Sequence, residues 1–119
     1  MTKQYDKALR EVRRLSPALP EACEVEAWGH PTFRAGKKML AAFGEEEGQL
    51  SLGMKVGCDR QEELLNDNRF FPTPYAARQG WVSLTIDNST DWEEVERLLR
   101  ESYRQVALKR MLKALDPQE

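Results

Sequence analysis

The chain has 119 residues, of which 32% are charged and 40% hydrophobic, and its formal net charge is −2. That length suits a single domain over residues 1–119, able to bury about two-thirds of the surface its unfolded form exposes, so neither a disulfide nor a metal staple is needed. No apolar run approaches the roughly 20 residues that span a bilayer, and the start of the chain, Met1 to Lys7, lacks the apolar stretch of a secretory signal. The expectation is a cytoplasmic protein with no membrane partner. A net negative charge argues against general affinity for nucleic acid, so any such binding must rest on a local patch of Lys and Arg.

Lys3 to Leu15 sets Tyr5, Ala8, Leu9, Val12 and Leu15 at helical spacing, with charged residues on the other side. Thr2 is the expected cap, and Ser16-Pro17 ends the helix. From Cys23 the pattern shortens to strands: Cys23 to Trp28, Thr32 to Ala35, Lys38 to Phe43 and Gln49 to Lys55. The spacers between them, Gly29-His30-Pro31, Gly36-Lys37 and Glu45-Glu46-Glu47-Gly48, are hairpin-length, so neighbours in sequence should pair antiparallel. Asp59 and Glu62 read as a capping box for a short helix, Arg60 to Asn66, with Leu64 and Leu65 facing inward.

Pro72 and Pro74 force the aromatic residues of Phe70 to Tyr75 onto an extended or turning backbone. Gly80 then leads into a strand, Trp81 to Ile86, with Val82, Leu84 and Ile86 on the buried face and Trp81, Ser83 and Thr85 on the other. Thr90 and Glu93 read as a second capping box, opening one long helix to about Leu115 along the stripe Trp92, Val95, Leu98, Leu99, Ser102, Val106 and Met111. The sum is an α+β domain of two layers. An antiparallel sheet of about five strands packs against an N-terminal helix, a short middle helix and a long C-terminal helix.

Three blocks carry a family resemblance: Trp28-Gly-His-Pro-Thr-Phe-Arg, Gly36-Lys-Lys-Met-Leu-Ala, and Phe71-Pro-Thr-Pro-Tyr through Gly80-Trp-Val-Ser-Leu-Thr-Ile-Asp. In this order and spacing they resemble the MmcQ/YjbR family of small bacterial proteins, over roughly Leu9 to Tyr103. The resemblance implies a secretion-chaperone-like α+β fold, and a DNA-binding role by analogy with a double-wing arrangement. It names no reaction. One departure concerns Ala76-Ala77-Arg78-Gln79-Gly80, where relatives often carry Lys and His.

Arg34, Lys37, Lys38 and Lys55 fall on or beside adjacent strands, and Arg69 and Arg78 flank the proline-aromatic segment. These six form one positive strip if the hairpins act as wings; otherwise they are solvent residues at tips and edges, where lysine also blocks strand pairing. Trp28, His30, Tyr75 and Trp81 are the candidates for a pocket, the other reading being that the aromatics are core. His30 is the one imidazole, set in a turn, and no nucleophile motif, phosphate-binding loop or metal-ligand spacing accompanies it. Cys23 and Cys58 read as two buried or idle thiols, and Glu45-Glu46-Glu47 as a solvated turn. The expectation is therefore a non-enzymatic protein without cofactor or metal, either monomer or homodimer, with DNA as partner. The alternative is a protein or peptide interaction module.

Overall fold

A computed structural model describes residues 3–16, 19–27 and 29–115. Thr2, Pro17 and Trp28 lie outside the described residues, and with them the expected helix cap and one of the four pocket candidates. Helix α1 (Lys3–Leu15) buries Ala8, Leu9, Val12 and Leu15, the stripe its spacing predicts. The ring of Tyr5 tilts against Phe43 at 5.2 Å between centroids, which ties the start of α1 to the sheet.

Strands β1 (Ala22–Ala27), β2 (His30–Ala35), β3 (Lys38–Glu46) and β4 (Gln49–Lys55) form consecutive antiparallel hairpins. Helix α2 (Cys58–Leu64) and strand β5 (Phe70–Pro72) follow, then β6 (Trp81–Ile86), α3 (Trp92–Val106) and α4 (Lys109–Leu115). The sheet has six strands in the order β1-β2-β3-β4-β6-β5. It exceeds the expected five because Phe70–Pro72, read from sequence as an extended approach, pairs with β6 as an edge strand. An edge is where prolines are tolerated, since its outer row of N–H groups has no strand to serve.

Register sorts the side chains. Phe33 lies opposite Ala41, Phe43 opposite Leu52, Met54 opposite Val82, and Leu52 opposite Leu84. These residues form one apolar face, against which α3 packs at β3 and β4. Leu40 has no register partner between the Phe33–Ala41 and Arg34–Met39 pairs, and this bulge lets Leu40 and Ala41 both be buried. The opposite face carries Thr32, Arg34, Ala42, Gly44, Ser51, Gly53 and Lys55, several of them half-exposed although their strands are central.

Several local expectations are corrected. Trp81 and Ser83 are 8% and 3% exposed, not solvent-facing. Thr73 folds back so that its hydroxyl meets that of Ser83 at 2.9 Å, and Gln61 of α2 donates to the carbonyls of Ala77 and Trp81 at 2.7 and 2.8 Å, so the chain covers this part of the open face itself. Helix α2 starts at Cys58 after Gly57, with no side-chain cap, so the Asp59–Glu62 box is not made; Leu64 is buried but Leu65 is exposed. The cap of α3 is Asp91, whose carboxylate accepts from the N–H groups of Glu93 and Glu94, while the Thr90 hydroxyl accepts from the Asp87 N–H. The long C-terminal helix is two helices, because Ala107 is extended (φ −70, ψ 148). Tyr103, absent from the predicted stripe, is fully buried and donates from its hydroxyl to the Pro20 carbonyl at 2.7 Å.

Candidate binding surface

Strand direction alternates, so the end of β2, the start of β3, the end of β4, the start of β6 and the end of β5 all meet at one end of the sheet, marked by the Gly36 turn. The other end is marked by the Gly48 turn between β3 and β4. This simple geometry sorts the six cations. Arg34, Lys37, Lys38 and Lys55 lie at the Gly36 end, and Arg78 joins them, because Gly80, two residues on, accepts from the N–H groups of Val56 and Gly57. Arg69 lies at the Gly48 end, its carbonyl accepting from Thr85 N–H.

The two groups also differ in partners. Arg69 is clamped by Asp67 at 2.6 Å and by Glu94 of α3 at 2.7 Å. The hydrogen bond from the Arg69 side chain, then the one from its backbone, holds the Asp67 carboxyl down at about 2, and the same pair of carboxylates raises the Arg69 guanidinium. Among the described residues, Arg34, Lys37, Lys38, Lys55 and Arg78 make no ion pair. The Arg34 guanidinium donates to the Lys37 carbonyl at 3.3 Å, which orients it toward the turn, and its buried Nε has no acceptor. Acids are present at this end too, but Glu21 is taken up by Arg110 and Glu63 by Arg60, both at 3.0 Å, leaving Asp59 and Glu62 unpaired among the described residues. Glu45, Glu46, Glu47 and Asp87 lie at the Gly48 end.

Tyr75 is fully exposed and holds a left-handed backbone (φ 66), a costly conformation for an aromatic residue. It stands in the loop after β5, at the Gly36 end, beside Thr73, whose side chain approaches Gly53. Of the three described pocket candidates, exposed Tyr75 and buried Trp81 share the Gly36 end, whereas His30 lies at the Gly48 end with its ring over Gly44, so the three do not line one pocket. His30 opens β2 instead of occupying a turn. Both thiols are exposed, which removes the buried half of the expectation of buried or idle thiols; Cys23 Sγ approaches the Gly36 carbonyl at 3.6 Å and Cys58 Sγ that of Arg78 at 3.9 Å. Cys23 lies opposite Arg34, four residues along β2 from His30, so thiol and imidazole are about 13 Å apart along the strand, far beyond the reach of a nucleophile–base pair. Among the described residues, no group of three or more His, Cys, Asp or Glu side chains is placed to hold a metal ion. Among the described residues, no helix is long and apolar enough to cross a membrane.

Sequence reading missed two cations. Helix α4 docks its Met111 against the Gly36 turn, where a Cβ on Gly36 would sit 2.9 Å from Met111 Cε, and so it brings Lys109 and Lys113 to the same end. No sequence signal marked the break at Ala107 that turns α4 back onto this end.

Comparison with known proteins gives a consistent picture. A family model described as YjbR matches residues 17–105. The crystal structure of Deinococcus radiodurans protein DR2400, carrying the domain DUF419, superposes with a TM-score of 0.74 at 26% identity, over 91% of this chain and 87% of that one. No curated protein matches.

Proposed function

Because the chain belongs to the YjbR family, we propose that it is a non-catalytic DNA-binding protein that lays the Gly36 end of its sheet and the Thr73–Arg78 loop on the phosphate backbone. The observation that carries this reading is the segregation of charge. Five of the six candidate cations meet at one end without ion pairs, and the sixth is neutralised at the other. From β2 to β6 the end spans three strand spacings, about 14 Å, comparable with the roughly 12 Å width of the major groove. Lys and Arg that are not already paired are the ones that can displace counterions from phosphates. Exposed Tyr75, held in a strained conformation, is suited to stack on a splayed base or sugar.

A labelled duplex of about 20 base pairs titrated between about 50 and 200 mM salt tests the proposal. Five phosphate contacts give a slope of about −4 to −5 in log affinity against log salt, and Lys55→Ala lowers its magnitude by about 1. Absence of association at the low-salt end overturns it. The second reading, a peptide-binding module, draws on the outer edge of β1, which has β2 as its one strand partner and a row of exposed residues from Cys23 to Glu26. A peptide captured there by strand addition, with duplex left unbound, would establish that reading instead.

A further inference from the structure

The family match ends at residue 105, yet the chain continues through the described helix α4. Extended Ala107 breaks the helical path, and the chain turns back onto the sheet end. Two contacts fix α4 there: Met111, 1% exposed, sits against Gly36, and Arg110 pairs with Glu21 at 3.0 Å. The Glu21 carbonyl in turn accepts from the Gly36 N–H at 3.1 Å, so helix and turn are held to the same short segment. At 3.6 residues per turn, positions two before and two after Met111 fall on the opposite side of the helix and lie one above the other. They are Lys109 and Lys113, both exposed and without an ion pair among the described residues. The helix, Lys-Arg-Met-Leu-Lys-Ala-Leu, contains no acid to offset them.

Resting on the proposed DNA contact, we infer that α4 extends it: Lys109 and Lys113 bind backbone phosphates beyond those reached by Lys37 and Lys38, lengthening the footprint of this chain relative to the segment its family model covers. A helix is about 10 Å across, so their outer face stands about 10 Å from the Gly36 tip, or about three base-pair rises of 3.4 Å. The segment is thus a second arm on the same surface, outside the residues that the family model matches.

The full chain, its Lys109→Ala/Lys113→Ala variant and an Arg97→Ala control on the solvent face of α3 are titrated by fluorescence anisotropy with the same labelled duplex across the salt range. Alanine is the best helix former, so α4 is retained, and circular dichroism with urea unfolding verifies this. The expected result is a slope reduced in magnitude by about 2 in the double variant and unchanged in the control. Wild-type binding with the double variant at the wild-type slope overturns the inference and leaves the wider proposal standing. Failure of the wild-type chain to bind duplex at low salt overturns both. A slope lowered equally by Arg97→Ala also overturns it, because the effect would then be one of net charge.

Discussion

Arg69 and Lys55 carry the same formal charge, and their surroundings give them opposite uses. Arg69 offers its guanidinium to Asp67 and Glu94 and stacks its Cζ 5.4 Å over the Phe70 ring, so its donors are committed within the fold. Lys55 ends β4 half-exposed and unpaired among the described residues. Arg69→Ala is therefore expected to leave duplex affinity and its salt slope unchanged while releasing Asp67. The carboxyl held at about 2 in the folded protein should return toward the ordinary value of about 3.9, read by NMR titration of the Asp67 carboxyl carbon. The sign follows from linkage: the folded group titrates below the unfolded one, so the pair's stabilisation is present in full above about pH 4 and is lost as pH falls through about 2. An Asp67 midpoint that stays near 2 in the variant would mean that the backbone N–H of residue 69, not its side chain, sets the value. From sequence, Arg69 looked equal to the other five because its Glu94 partner is 25 residues away and is delivered only by the packing of α3.

At the scale of elements, the helix starts show what local pattern can and cannot determine. Thr90 and Asp91 are adjacent, and either fits a capping motif ahead of Glu93 and Glu94. The turn decides between them: Thr90 is spent on the Asp87 N–H, and Asp91 is left to cap α3. Asp91→Ala should cost about 1 kcal/mol, seen as a lower urea midpoint at unchanged slope, and Thr90→Ala should cost less. Equal losses from the two variants would refute the assignment. Strands β1 to β4 and α1 were legible because alternation and 3.6-residue spacing are local properties, and hairpin-length spacers dictate neighbour pairing. The break between α3 and α4 was not legible, since neither Gly nor Pro marks it; the docking of Met111 against Gly36 is a contact 75 residues apart in sequence. Arg34, Lys37, Lys38, Lys55 and Arg78 could be named from the sequence for the same local reasons, whereas Lys109 and Lys113 could not. The division of the six candidate cations between two sheet ends needed the strand order, above all the placement of β6 between β4 and β5.

For the whole molecule, the two sheet edges govern whether copies of the chain associate. The β5 edge is three residues long and ends in Pro72, with Pro74 just beyond, so it offers a poor template for pairing. The β1 edge is six residues long and exposed, and it is guarded by charge. Glu24 lies opposite Phe33 and Glu26 opposite Pro31, so both glutamates project on the helix-covered side of the sheet. If two copies joined their β1 strands antiparallel into one continuous sheet, residues on that side would face each other across the seam. A two-fold centred on Glu24 sets it against itself, one centred on Val25 sets Glu24 against Glu26 twice, and one centred on Glu26 repeats the conflict. Like charges directly opposite are destabilising, by up to about 1 kcal/mol for each cross-strand pair. Arg13 engages Glu24 from α1 at 2.8 Å and softens the repulsion there, but Glu26 has no ion pair among the described residues. The wild-type chain should therefore be a monomer at neutral pH in sedimentation equilibrium, and Glu24→Thr/Glu26→Thr should shift it measurably toward dimer by adding β-propensity while removing the repulsion. A wild-type dimer that is unaffected by the double substitution would place the contact away from β1 and remove the edge from the account of how this molecule stays apart from its copies.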